Sequence, residues 1–186
     1  MKYAVICFTE RGAWVCRRLF YKLREAGGEC EAVVPGRFLR EEWKKEGMKE
    51  PGGEPLSQWT GRMFAEKRGM IFVSAAGIAV RAIAPWVRDK MTDPPVVSVD
   101  EGAQFVIPLL SGHVGGANGL ARRIAEWLRS TPVITTATDV NGKFAVDQWA
   151  REQGFFLDGK EAAKKRKTYR QQCWKENTLA FSVTCL

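Results

Sequence analysis

The chain has 186 residues, 45% hydrophobic and 27% charged, with a net charge of +8. That suits one globular domain with a real core, and excludes a fibrous or compositionally disordered chain. No apolar run nears the ~20 residues a bilayer crossing needs, and the start, Met-Lys-Tyr-Ala-Val-Ile, lacks a charged-then-apolar secretion pattern. The five cysteines are scattered without a C-x-x-C pair, which argues for reduced thiols and a cytoplasmic location.

Tyr3 to Phe8 is a near-continuous apolar run, as expected of a strand buried on both faces. Thr9 is a candidate helix cap, and Val15, Cys16, Leu19, Phe20 and Leu23 form one apolar stripe that Gly27-Gly28 stops. Cys30 to Val34 reads as a second strand, ended by Pro35-Gly36. This βαβ opening predicts a parallel sheet. Phe38, Leu39 and Trp43 sit in a charged, helical piece, and Leu56, Trp59, Thr60, Met63 and Phe64 have helical spacing after the Pro51–Pro55 loop. Met70 to Ala75 is a buried-type strand running into small residues and a helix with Val80, Ile83, Ala84 and Val87 on one side. Gly77 and Arg81 lie in its opening turns, so a first candidate ligand loop falls at a strand's C-terminal end.

The next stretch organises the chain. Val96 to Val99 is apolar and ends on Asp100 and Glu101, Gly102 permits a turn, and Phe105 to Leu110 is apolar again. Ser111, Gly112, His113, Gly115, Gly116 and Asn118 follow, opening a helix whose apolar positions are Ala117, Leu120, Ala121, Ile124, Ala125 and Leu128. The pattern predicts strand, hairpin turn, strand, glycine-rich loop and helix. Unpaired amides and the dipole at a helix start make such a loop an anion site, and its glycines allow close approach. His113 is the only histidine. The loop lacks the Gly-Lys-Ser/Thr ending of a P-loop and the spacing of the dinucleotide signature.

Pro132 to Ala137 reads as one more strand, with Thr136, Asp139 and Asn141 in a third polar loop, and Ala145 to Ala150 as a closing helix. The fold class is α/β: a doubly wound, mostly parallel sheet with helices on both faces and one β-hairpin. The domain covers residues 1–154. Residues 155–186 form a basic extension, or the start of a linker to a further C-terminal domain. Residues 160–176 hold seven Lys or Arg against two Glu, so five of the eight net positive charges lie there. A solvated helix face accounts for that run, and no reading motif argues for nucleic acid.

Taken together, Gly77-Ile78-Ala79-Val80-Arg81 through Pro85, Asp89-Lys90-x-Thr92-Asp93-Pro94, Val99-Asp100-Glu101, Leu110-Ser111-Gly112-His113-x-Gly115-Gly116-Ala117-Asn118 and Thr135-Thr136-Ala137-Thr138-Asp139-x-Asn141-Gly142 resemble the CbiG family. These are the cobalt-precorrin-5A hydrolases of anaerobic cobalamin biosynthesis. The resemblance reaches to about Gly154 and rests on five motifs in the family's order. It implies that the chain opens the lactone of cobalt-precorrin-5A with water and releases acetaldehyde, giving cobalt-precorrin-5B. It implies no cofactor and no metal ligands of the protein's own, because cobalt arrives within a polycarboxylate corrinoid. Other enzymes of the pathway and a second copy of the chain are the partners it suggests, with no membrane. Family members usually carry a further C-terminal domain, so the alternative is a non-catalytic corrinoid- or anion-binding module split from its catalytic partner.

On this reading His113 is the acid–base residue, a role worth ~10²–10⁴-fold in rate, or else it shapes its loop. Glu101 is expected to orient His113 or to act as the base itself, with Asp100 a turn residue. Gly112, Gly115, Gly116, Ser111 and Asn118 are expected to bind a substrate carboxylate or oxyanion, the competing reading being close packing of helix on sheet. Gly77, Arg81 and Thr136 complete the substrate set, and all three loops are expected at the one edge where parallel strands end. Asp139 either joins them or caps a helix, and Arg81 either grips a carboxylate or makes a surface ion pair. Cys7 is expected to be core.

Overall fold

The computed structural model describes residues 1–113 and 115–140. A six-stranded sheet has the order β2-β1-β3-β4-β5-β6, with β1 Lys2–Cys7, β2 Glu29–Val33, β3 Gly69–Val73, β4 Val96–Val99, β5 Phe105–Leu110 and β6 Thr131–Pro132. The first four strands are mutually parallel. β5 is antiparallel to β4, and β6 is parallel to β5. The α/β class and the mostly parallel sheet are as the sequence predicts.

Alternation along the strands divides the core between two faces. Tyr3, Val5, Cys7, Ile71, Val73, Val97 and Val99 face helices α1 (Glu10–Glu25) and α5 (Ala117–Leu128). Ala4, Ile6, Met70, Phe72 and Val96 face α3 (Leu56–Ala65) and α4 (Ala76–Ile83). Thr9 caps α1 as expected, its hydroxyl accepting from the Gly12 amide at 3.0 Å. Trp43, on the short helix α2 (Glu41–Lys45), is buried edge-on against Trp14, with ring centroids 4.9 Å apart. No helix among the described residues is long and apolar enough to cross a membrane.

Two expectations are corrected here. The strand expected over Pro132–Ala137 shrinks to the pair Thr131–Pro132 followed by a loop and the single turn α6 (Ala137–Val140). Proline has no amide hydrogen to give a ladder, and after it only the Val133 amide bonds back to β5, at the Val106 carbonyl, 2.8 Å. The second correction concerns direction. Val99 pairs with Val106 and Val96 with Leu110, so β5 ends beside the start of β4. The segments following β5 and β6 therefore reach the edge where the parallel strands begin, not the edge where they end. Asn141, the closing helix and residues 155–186 lie outside the described residues.

Candidate active site

Helix α5 is the scaffold of the site. Its apolar stripe, Leu120, Ala121, Ile124, Ala125 and Leu128, is buried against the sheet, which fixes its roll. Asn118 and Arg122, four residues apart, therefore lie above one another on one face, beside the loop that carries His113. The segment after β6 approaches from the other side with Thr136 and Asp139.

Asp139 is the hub. Its Oδ2 accepts from the Thr136 hydroxyl at 2.5 Å and from Asn118 Nδ2 at 3.1 Å, and lies 3.3 Å from His113 Nε2. Its Oδ1 accepts from Arg122 Nη2 at 2.6 Å. Asn118 Nδ2 also donates to Thr136 Oγ1 at 2.9 Å. The Asp139 side chain is 10% exposed, that of His113 15%, and Asn118 as a residue 2%. Burial by itself raises the Asp139 carboxyl. The Thr136 bond, the bond and charge of Arg122, and more weakly His113, outweigh it and hold the group below the ordinary carboxylate value. Asp139 is thus an ionised carboxylate that bridges an imidazole and a guanidinium.

Three amides at the start of α5 are taken up by carbonyls of the glycine-rich loop itself. The Gly116 amide bonds to the His113 carbonyl at 3.1 Å, that of Ala117 to Ser111 at 3.1 Å, and that of Asn118 to Gly112 at 3.0 Å. The glycines have steric reasons. Gly116 stands at φ +86°, in the left-handed region. A Cβ on Gly115 would run into the Ser111 side chain and lie 2.8 Å from its carbonyl oxygen, and one on Gly112 would lie 2.8 Å from Asn118 Oδ1. Close packing thus explains Gly112 and Gly115, and backbone conformation Gly116. Ser111 itself is tied down, its hydroxyl donating to the Asp93 carbonyl at 2.8 Å. The Asp93 carboxylate in turn accepts from the amides of Arg88 and Asp89 at 2.9 and 3.1 Å, which organises the Asp89–Pro94 segment.

Three of the expected site residues are placed elsewhere. Glu101 is exposed on the hairpin turn between β4 and β5. Five residue steps of β5 separate that turn from the His113 loop, about 17 Å at 3.4 Å per residue. Asp100 holds the turn, accepting from the amides of Gly102, Gln104 and Phe105 at 3.0, 2.8 and 2.6 Å. Gly77 and Arg81 open α4 at the edge where β3 ends, and Arg81 Nη1 donates to the Gly77 carbonyl at 3.4 Å. The structure thus brings His113, Asn118, Thr136 and Asp139 together, with Ser111 and the three glycines forming the loop that holds them. Glu101, Gly77 and Arg81 sit on the opposite edge. Arg122 was missed by the sequence reading; its spacing of four from Asn118 was the available signal.

Cys7 is buried in the core. The Cys16 thiol is pushed up, first by its hydrogen bond with Cys7 and then by burial. Burial pushes Cys30 up to about 12. Neither has the lowered pKa of a reactive thiol. Among the described residues, no group of three or more His, Cys, Asp or Glu is placed to hold a metal ion.

The same residues are where the chain resembles known proteins. Residues 58–139 match the model of the cobalamin synthesis G N-terminal family, a span that holds every member of the network. The chain is 42% identical over 148 residues to the cobalt-precorrin-5A hydrolase of Salmonella typhimurium, covering 79% of this chain and 39% of that one. It is 33% identical over 159 residues to the enzyme of the same name from Priestia megaterium, covering 86% and 41%. The chain thus spans about two fifths of the length of these curated relatives. The fold is shared with a solved cobalamin biosynthesis protein G homolog from Sulfolobus solfataricus, with a TM-score of 0.50 and 24% identity over 80% of this chain and 39% of that one. Residues 58–139 thus belong to the N-terminal region of the CbiG family.

Proposed function

We propose that the chain performs, in the cytoplasm, the hydrolysis named for its relatives: opening of the cobalt-precorrin-5A lactone and loss of acetaldehyde. The observation that carries this reading is the His113–Asp139 pair, buttressed by Thr136 and Asn118 within the family's own motifs. Water attacks the lactone carbonyl while the imidazole takes its proton. The carbonyl carbon–ring oxygen bond then breaks, and the imidazolium returns that proton to the departing oxygen. Asp139 orients the imidazole and stabilises the imidazolium in between. The freed hydroxyl on the methylated bridging carbon next collapses to a carbonyl. The bond from that carbon to the macrocycle breaks, acetaldehyde leaves, and the electron pair and a proton remain on the ring. Cobalt enters as part of the substrate, and no cofactor is assigned to the protein.

The test is turnover. Purified chain with cobalt-precorrin-5A releases acetaldehyde, and His113→Ala lowers kcat by ~10²–10⁴-fold; normal release from that variant removes His113 from the mechanism.

A further inference from the structure

We infer that Arg122 is the anion-binding residue of this site, holding a carboxylate of the substrate in its ground state beside His113. The inference rests on the corrinoid reading above for the identity of the ligand, and on the geometry for the site.

A polycarboxylate ligand approaching His113 needs a cationic partner. The amides of Gly116, Ala117 and Asn118 that open α5 do not provide one, since each is bonded to a carbonyl of its own loop. Arg81 stands at the other edge of the sheet. Arg122 lies one helical turn beyond Asn118, separated from the imidazole only by the width of the Asp139 carboxylate: Nη2 meets Oδ1 at 2.6 Å while His113 Nε2 meets Oδ2 at 3.3 Å. A guanidinium is a planar fork of five N–H donors matched to carboxylates. Asp139 takes Nη2, and among the described residues Nε and Nη1 have no partner. The side chain is 46% exposed, so these donors are open to an incoming group.

Asp139 does more than neutralise the arginine. Thr136 and Asn118 fix the carboxylate, and the carboxylate fixes the guanidinium plane, so the cation is held before the ligand arrives. Such preorganisation reduces the side-chain ordering that binding otherwise costs. One carboxylate thereby aligns the residue that binds and the residue that moves protons.

The test uses two probes that do not depend on turnover: cobyrinic acid, a corrin with free carboxylates, and its fully amidated form. Both are titrated by absorbance into the wild-type chain and into Arg122→Met, Arg122→Lys and Arg123→Met. The wild type should prefer the acid. Arg122→Met should bind the acid about 10–100-fold more weakly, the loss of a charged hydrogen-bonding partner, while its affinity for the amide is unchanged. Arg122→Lys, which keeps the charge but not the fork, should fall in between, and Arg123→Met should match the wild type. A purely structural role for Arg122 would weaken both probes equally and overturns the inference. So does undiminished binding of the acid by Arg122→Met, which leaves the hydrolase reading standing. Failure of the wild type to bind the acid also overturns it, and acetaldehyde release then judges the hydrolase reading alone. Thermal melting of each variant confirms that folded proteins are being compared.

Discussion

Replacing Asp139 with Asn isolates the charge at the hub while leaving its shape. The carboxamide oxygen can take the place of Oδ2 and still accept from Thr136 and Asn118. Its NH₂ group then falls where Oδ1 meets Arg122, donor against donor. Arg122 is 46% exposed and turns to water, so losing that screened pair costs no more than ~1 kcal/mol. The remaining bonds weaken from charge-assisted to neutral, a further ~1 kcal/mol. The total of ~1–2 kcal/mol lowers Tm by roughly 2–8 °C in a chain of this size. The rate should suffer far more. Without a carboxylate to stabilise the imidazolium, kcat should fall by ~10²–10⁴-fold. Acetaldehyde release and thermal melts on the same preparations separate the two effects. A variant that melts as expected yet keeps more than a tenth of wild-type kcat shows that His113 works without Asp139.

The same variant fixes the pH dependence. The native carboxyl of Asp139 is held below its ordinary value. Its contribution to stability is therefore complete above about pH 4, the ordinary carboxylate value, and is lost as pH falls through the lower native one. The gap in stability between wild type and Asp139→Asn, read from urea unfolding, should be constant above about pH 5 and close below about pH 4. A gap unchanged down to pH 3 contradicts the charge argument.

The two carboxylates of the hairpin give contrasting expectations. Glu101→Gln should keep kcat and KM within about twofold of wild type, because the exposed side chain sits about 17 Å from the His113 loop along β5; a hundredfold loss would restore Glu101 to the mechanism. Asp100→Ala should leave kcat intact but lower stability by ~1–3 kcal/mol, since the three turn amides it holds lose their acceptor. Urea unfolding with unchanged stability would show that the turn holds itself.

Those contrasts mark where the sequence was legible. The buried strand Tyr3–Phe8, the cap at Thr9 and the stripe on α5 all follow from local pattern, and the structure has each within a residue or two. The hairpin was equally legible, as two apolar runs about a Gly102 turn. Its consequence is a matter of topology: a hairpin reverses the chain, so the strand leaving it cannot deliver its end to the edge its neighbours reach. Gathering Gly77, Arg81, Glu101 and His113 into one cleft overlooks that reversal. The glycines illustrate another limit. The contacts that exclude a Cβ at Gly112 and Gly115 come from Asn118 and Ser111, whose positions depend on how the loop folds back, and no spacing rule encodes that. Arg122 was hidden for the opposite reason, because a charged residue on an amphipathic helix reads as solvated surface until its partner is seen.

The reversal also explains why the site is built from one short stretch of chain. β5 and β6 run parallel to each other and are joined by α5, so residues 105–132 form a βαβ unit of their own, set antiparallel to β1–β4. In a parallel unit the segments leaving the strands' C-terminal ends meet at one edge. The loop after β5 brings His113 there, the first two turns of α5 bring Asn118 and Arg122, and the segment after β6 brings Thr136 and Asp139. The placement rule for ligand sites in open α/β sheets thus holds for this unit once strand direction is followed strand by strand. It also leaves the β1–β3 edge, with Gly77 and Arg81, outside the His113 network. Rates that depend on Asp139 and Arg122 are therefore set by a unit whose geometry is fixed by the β5–β6 pairing and the burial of α5.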